Sequence, residues 1–158
     1  MPVQALSYEF SNVLTPRGLI LRPYLPVRMQ YRDKDPVDTM MIVDSGADFS
    51  MISREFAEAS LGIDVDALPT STTSGIGGSA KVAETKVLVK FGDEGRNYDL
   101  EMLVQIPFGQ DSPILNLLGR IPAFREFDIS FRMGYCDTTG KFVLKRVEKR
   151  HPIHRRRG

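Results

Sequence analysis

The feature that most constrains this chain is the shortness of its apolar runs. Beyond Leu19, apolar runs alternate with turn residues roughly every 8–12 positions, a spacing that predicts a mostly antiparallel β-sheet protein. The longest uninterrupted apolar run is the segment 40–43, Met-Met-Ile-Val. Such a run is far short of the roughly 20 apolar residues that a membrane-spanning helix needs, so we expect no association with a membrane.

The residue types available for chemistry are few. The 158 residues suit one domain. The single cysteine, Cys136, excludes an internal disulfide, and the only histidines, His151 and His154, lie in the last eight residues. We therefore expect no metal, no cofactor and no Ser-His-Asp triad, and any chemistry would use carboxylates. The start of the chain lacks the pattern of a secretion signal, and together with the lone cysteine this predicts a cytoplasmic location.

Charge is unevenly distributed along the chain. Residues 141–158 contain eight Lys or Arg and one acid, whereas the rest contains 13 basic and 19 acidic residues. Such a tail could contact nucleic-acid phosphates. Because Phe142 is its only aromatic residue and no nucleic-acid-binding motif is present, we expect a solvated tail and no specific nucleic-acid binding. Segment 151–158 lacks apolar content and is expected to be disordered.

Local patterns predict most of the secondary structure. Ser53 is expected to cap a helix that ends at Gly62, and Pro122 to open a second short helix. One face of the first helix would carry Phe56, Ala59, Ser60 and Ile63. The Ser-, Thr- and Gly-rich segment 69–79 predicts a loop or a hairpin tip. The predicted strands are 19–21, 25–31, 39–43, 81–91, 98–106 and 114–118, followed by a closing hairpin of 127–131 and 142–147.

The strongest local signal for chemistry is segment 43–48, Val-Asp-Ser-Gly-Ala-Asp. An apolar strand leads directly into Asp44, and burial of an isolated carboxylate costs several kcal/mol, so an acid in this position needs an explanation. Gly46 allows a sharp turn whose backbone can lie close to a ligand. Asp-Ser-Gly is also common in ordinary turns. This segment alone therefore leaves a structural turn and a catalytic loop both open.

Two further segments add to this signal. Segment 74–79, Ser-Gly-Ile-Gly-Gly-Ser, suits a hairpin tip that bends over a ligand. It is not a phosphate-binding loop, because no Gly-Lys-Ser/Thr follows and no helix begins there. Segment 116–120, Asn-Leu-Leu-Gly-Arg, places two aliphatic residues and a glycine just before a short helix. Taken singly, these segments indicate a flexible loop and the end of a core strand.

In this order, the three segments resemble the retropepsins, the single-domain aspartic proteases of retroviral type. The resemblance covers roughly residues 25–131 and implies an all-β fold, a retropepsin-like acid-protease closed β-barrel domain with one or two short helices, active as a two-fold homodimer. We divide the chain into an N-terminal extension (1–18), the protease domain (19–135) and a C-terminal strand with a basic tail (136–158). No second Asp-Thr/Ser-Gly is present, so a two-lobed monomer is excluded.

The resemblance also implies a role for each motif residue. Asp44 would be the catalytic acid, and Arg120 would pair with Asp48 to hold the loop on the substrate side. The substrate-binding residues would be Gly46, Ala47, Asp48, Gly75, Ile76, Gly77 and Gly78. The residues that support the active site would be Ser45, Leu118, Gly119 and Arg120. Ser45 would brace the active-site loop across the subunit boundary.

One candidate acid per chain implies two chains if the protein hydrolyses peptides. Two carboxylates a few Å apart share one proton, so that one activates a water and the other protonates the carbonyl oxygen. A two-fold homodimer places Asp44 beside its own copy. The sequence therefore predicts an aspartic endopeptidase that acts on a peptide or protein substrate. The alternative is a catalytically inactive retropepsin-like dimer that binds peptides or proteins, with its basic tail in contact with nucleic acid.

Overall fold

The computed structural model describes residues 5–75, 78–109, 115–135 and 138–147. The predictions made for Ile76, Gly77, Cys136 and the segment 148–158 therefore lie outside the described residues.

The described residues are mostly β-structure, with three short helical segments. Their strands are β1 (Ala5–Glu9), β2 (Ser11–Thr15), β3 (Gly18–Arg22), β4 (Tyr24–Gln30), β5 (Val37–Val43), β6 (Ser50–Met51), β7 (Thr70–Gly75), β8 (Gly78–Asp93), β9 (Arg96–Pro107), β10 (Asn116–Leu118), β11 (Phe127–Met133) and β12 (Gly140–Arg146). The helical segments are a π-helix (Phe56–Ser60), a 3₁₀ turn (Val65–Ala67) and one α-helical turn (Ala123–Glu126). None of the helices in the described ranges has the length and apolar character needed to cross a membrane.

Six strands close into a barrel in the order β4, β5, β10, β6, β9 and β8. Antiparallel pairing of β8 with β4, with Met29 opposite Val89, returns the sheet to its first strand. Alternating residues point inward, and Leu25, Met41 and Val104 have no exposed surface. This arrangement confirms the predicted closed β-barrel. Pairing is not antiparallel throughout, because β10 runs parallel to β5 and β6 runs parallel to β9.

A second, three-stranded sheet contains both ends of the described chain, in the order β1, β12, β11. Leu6 of β1 lies opposite Leu144, and both are buried with Phe142. The Tyr8 hydroxyl donates to the Gly92 carbonyl oxygen at 3.0 Å, which ties β1 to the barrel, and burial raises the pKa of this tyrosine. The antiparallel pairing of β11 with β12 confirms the predicted closing hairpin.

The first helix begins as predicted but turns differently. The Ser53 hydroxyl accepts a hydrogen bond from the Phe56 amide at 3.1 Å, as expected of a helix cap. The Leu61 amide then donates to the Phe56 carbonyl oxygen, an i to i+5 bond that widens the turn into a π-helix. As a result Ala57 and Leu61 are buried, whereas Ala59 is exposed. The predicted apolar face was therefore wrong in part.

Segment 69–79 forms a hairpin where it is described. β7 pairs with the start of β8 from Thr70 opposite Ala83 to Gly75 opposite Gly78. The many hydroxyl residues of this segment do not prevent pairing, because threonine suits an extended backbone.

Candidate active site

Asp44 lies at the point where β5 leaves the barrel. Its backbone amide donates to the Leu118 carbonyl oxygen at 2.9 Å, so the chain remains attached to β10 for one residue beyond β5. The Gly46 amide donates to Oδ1 of Asp44 at 2.8 Å and so orients the carboxylate. A Cβ on Gly46 would lie 3.2 Å from the same oxygen, closer than most contacts of this kind. The aspartate is half-buried, whereas Ser45 and Gly46 are exposed.

The far end of the same loop is held by the same neighbouring segment. The Arg120 amide donates to the Ala47 carbonyl oxygen at 2.8 Å, and the Ile121 amide donates to that of Asp48 at 2.9 Å. Segment 118–121 therefore contacts the loop both where it begins and where it ends. The loop geometry is set by backbone hydrogen bonds, which leaves its exposed surface available for other contacts.

Gly119 lies where this segment passes closest to the loop. Its amide donates to the Ser50 hydroxyl at 3.1 Å, and a Cβ at this position would lie 2.4 Å from the carbonyl oxygen of Phe49. Only a glycine allows this approach. Ser50, which is fully buried, was missed by the sequence analysis. The signal available was a hydroxyl residue between the two apolar residues Phe49 and Met51.

Arg120 and Asp48 form the ion pair that the resemblance implied. Both side chains are more than half exposed, so solvent weakens their attraction, and such a pair contributes only about 0–1 kcal/mol to stability. Its effect is to orient the Asp48 side chain at the end of the loop. The further roles assigned to Asp48 and Ser45 stay predictions.

The β7–β8 hairpin, which we call the flap, carries Gly75 and Gly78 at its end. Gly78 has a φ of +110°, a conformation that a glycine adopts without strain. The hydroxyls of Ser74 and Ser79 lie 3.0 Å apart across the hairpin. The expected contact of this flap with a substrate stays a prediction, and its residues 76 and 77 are outside the described residues.

The base of the flap contains a polar cluster that the sequence analysis did not identify. Oε1 of Glu84 on β8 accepts a hydrogen bond from the Ser71 hydroxyl of β7 at 2.7 Å. The same oxygen accepts one from the side-chain amide of Gln105 on β9 at 2.9 Å. Gln105 is almost completely buried. One carboxylate thus joins the flap to the barrel, and no local sequence pattern brings these three residues together.

The chemistry available to one chain at this loop centres on the Asp44 carboxylate, because that of Asp48 is paired with Arg120. A carboxylate that is held in place and still reaches solvent can accept or donate a proton. Within the described part of the chain, no group of three or more His, Cys, Asp or Glu side chains is arranged to hold a metal ion.

The closed barrel and the clamped Asp-Ser-Gly loop define a retropepsin-like fold. The family model described as aspartyl protease matches residues 27–120, which is more than half of the chain. The chain therefore belongs to the aspartyl protease family.

Two solved structures are similar to this chain. A retropepsin-like aspartic protease from Rickettsia conorii matches 90% of this chain and 92% of its own, at 19% sequence identity and a TM-score of 0.55, which supports a shared fold. The EIAV protease in complex with the inhibitor HBY-793 matches 63% of this chain and 82% of its own, at 25% identity and a TM-score of 0.40. A search of the curated proteins found no match.

Proposed function

We propose that this protein is an aspartic endopeptidase in which Asp44 and the Asp44 of a second copy form the catalytic dyad. The observation that carries the proposal is the placement of Asp44. It follows a buried strand, its carboxylate is oriented by the Gly46 amide at 2.8 Å, and its loop is clamped at both ends by segment 118–121. Membership of the aspartyl protease family supports the same reading.

The reaction follows from two carboxylates that share one proton. The ionised aspartate removes a proton from a water molecule as the water oxygen attacks the peptide carbonyl carbon. The protonated aspartate donates its proton to the carbonyl oxygen, which gives a neutral tetrahedral diol. The aspartate that took the proton from water then gives it to the amide nitrogen, and the ionised aspartate removes a proton from a diol hydroxyl. The C–N bond breaks to release a carboxylic acid and an amine, and the dyad again holds one proton. The apparent pKa values of such a dyad belong to the pair.

The second carboxylate comes from symmetry. One chain supplies one Asp-Ser-Gly loop, and a two-fold axis beside that loop places the two copies of Asp44 together. The backbone of segment 46–48 and the flap would bind an extended peptide from opposite sides, as an added strand binds to a sheet. Closure of the flap would exclude bulk water from the reaction.

The test is the substitution Asp44→Asn, assayed by cleavage of a peptide library with and without a statine-type inhibitor. Asparagine has nearly the same size but cannot share a proton, so we expect a folded protein without detectable cleavage. The matched control is Asp99→Asn, an exposed carboxylate on β9, which should cleave as the parent does. The parent should be most active at acidic to mildly acidic pH, because one carboxylate must be protonated and the other ionised.

Cleavage by Asp44→Asn at the parental rate would overturn the assignment of the catalytic residue. A parent that binds library peptides but cleaves none would instead support a catalytically inactive peptide-binding module.

A further inference from the structure

The β2–β3 hairpin, residues 11–22, stands apart from both larger sheets. Its two strands pair only with each other among the described strands, with Leu14 opposite Leu19 and Val13 opposite Ile20. No side chain from 11 to 22 is buried. An isolated two-stranded hairpin is at best marginally stable in water, so this one needs a covering surface.

One face of the hairpin is apolar and open. Directly opposed residues of an antiparallel pair share a face, so Leu14, Leu19 and Leu21 lie together with Asn12. Leu14 is 78% exposed and Leu19 is 58% exposed. On the opposite face, Val13 and Ile20 are already partly buried. Leu14 and Leu19 are therefore the part of the hairpin that the described residues of the chain leave without cover.

The hairpin joins the fold beside the catalytic loop. It ends at Arg22, and the next residue, Pro23, accepts a hydrogen bond at its carbonyl oxygen from the amide of Val43 at 3.0 Å. Val43 directly precedes Asp44. Strands of five residues reach about 17 Å from that point, at roughly 3.3 Å per residue. A second copy that brings its own Asp44 to this loop would lie within that reach.

More apolar surface continues from the base of the hairpin. Phe10 directly precedes β2 and stacks on Phe131 of β11, with ring centroids 6.2 Å apart. Phe131 is 42% exposed, and Met133, two residues further along the same strand, is 64% exposed. Phe131 and Met133 thus add exposed apolar surface on the strand that Phe10 contacts, next to the base of the hairpin.

We propose that the β2–β3 hairpin is a dimerisation arm whose leucine face, formed by Leu14, Leu19 and Leu21, packs on a second copy of this chain. The inference rests on the proposed function, because the dyad is what requires the second copy. In a two-fold dimer each copy extends one arm, so the same contact is made twice. The arm thereby couples assembly of the dimer to completion of the active site.

The test is the double substitution Leu14→Glu with Leu19→Glu, with the dissociation constant of the dimer measured by analytical ultracentrifugation. We expect this constant to rise about 10,000-fold or more, since four leucines are replaced per dimer and each leucine moved from water into an interface contributes about a factor of ten. The matched control is Leu14→Ile with Leu19→Ile, which keeps the size and apolar character of the face, suits a strand, and should dimerise as the parent does.

A second variant removes the hairpin altogether, so that its result does not depend on whether a substituted hairpin still folds. Ser11 lies directly opposite Arg22, so residues 11–22 can be replaced by two glycines without separating the chain ends. We expect this variant to be a monomer that retains the barrel, as judged by circular dichroism and cooperative melting.

An unchanged dissociation constant in the glutamate variant or in the variant lacking the hairpin would overturn the proposed arm. A parent that is monomeric at every concentration would overturn it as well. The mass in solution of the parent and of each hairpin variant is also measured with Asp44→Asn added, so that cleavage by the protein cannot affect the measured oligomeric state. A hairpin-dependent dimer that cleaves nothing would support the arm while contradicting the proposed function, which separates the two failures.

Discussion

Gly119→Ala is the substitution whose effect can be worked furthest from the structure. A Cβ built on Gly119 would lie 2.4 Å from both the carbonyl carbon and the carbonyl oxygen of Phe49, and 2.9 Å from the amide nitrogen of Ser50. Ordinary van der Waals contact begins at 3.4 Å, so this backbone would have to move by about 1 Å. It cannot rotate away as a side chain could, because Ser50 is fully buried and the Ile121 amide holds the Asp48 carbonyl oxygen.

The displacement has a cost in stability and a cost in rate. Overpacking of this kind costs about 1–3 kcal/mol. At roughly 2–4 °C per kcal/mol for a chain of this size, the melting temperature should fall by about 2–12 °C. The shift also reaches Asp48 and the loop that carries Asp44, and a misplacement of about 1 Å can cost roughly 100-fold in rate. We therefore expect kcat/KM for peptide cleavage to fall by about two orders of magnitude.

The assay combines thermal melting with cleavage of a peptide substrate. Gly75→Ala is the control for stability, because a Cβ there meets no atom within 4 Å and should leave the melting temperature almost unchanged. If Gly119→Ala melted at the parental temperature and cleaved at the parental rate, the close approach of segment 118–121 to the loop would not exist, and the account of the clamp would be wrong.

Two further predictions concern the flap and the outer surface of the barrel. Glu84→Ala removes the acceptor shared by Ser71 and Gln105 and should lower kcat/KM about 30-fold, the equivalent of two hydrogen bonds of about 1 kcal/mol each. Glu84→Gln keeps an acceptor oxygen and should retain most of the parental kcat/KM. An equal fall in kcat/KM for the two variants would contradict the role of Glu84 as a hydrogen-bond acceptor. The Arg28 hydrogen bond holds the pKa of Asp38 below its ordinary value of 3.8, so the stability from this pair is present above that pH and lost as the pH falls further. The melting temperature of Asp38→Asn should therefore depend less on pH between about pH 5 and about pH 3 than that of the parent. Parallel plots of melting temperature against pH for the two proteins would refute the effect.

The long strands were predictable because the pattern along each one repeats every two residues. In β8, Val87, Val89 and Phe91 point into the barrel while the residues between them do not, and this alternation is visible in the sequence. The Ser53 cap was visible for a similar reason, since it depends on one hydroxyl and the amide three residues later. Features that depend on nearby residues could thus be derived without coordinates.

The partners of the shortest strands could not be predicted in this way. β6 contains two residues and has no counterpart among the predicted strands, whereas β10 contains three and falls within the predicted strand 114–118. Their partners are distant in sequence, since Leu118 pairs with Val43. β1 is a similar case, because Leu6 is buried only through pairing with Leu144 near the other end of the described chain. Long-range pairing of this kind is decided by the whole fold and leaves no local signal.

The candidate site could be predicted only through the resemblance, and its geometry shows why. The oxygens and amides that hold the loop belong to the backbone of Ala47, Asp48, Arg120 and Ile121, so almost any side chains would permit the same bonds. The sequence constrains the site mainly through glycines, whose missing side chains allow the close contacts. A short motif of this kind carries little information alone.

The structural constraints of the site converge on the end of β5. Three segments meet at Val43 and Asp44: the exit of the β2–β3 hairpin through Pro23, the loop that carries Asp44, and segment 118–121. The parallel pairing of β5 with β10 brings this about, because parallel strands end at the same edge and so deliver their following loops to one place. A contact between the hairpin and a second copy would therefore act through Pro23 and Val43, one residue from the Asp44 carboxylate. In this architecture the hairpin proposed to recruit the partner and the acid proposed to react are connected through the Pro23–Val43 hydrogen bond and the pairing of β4 with β5 that follows it, so a change in one would act on the other.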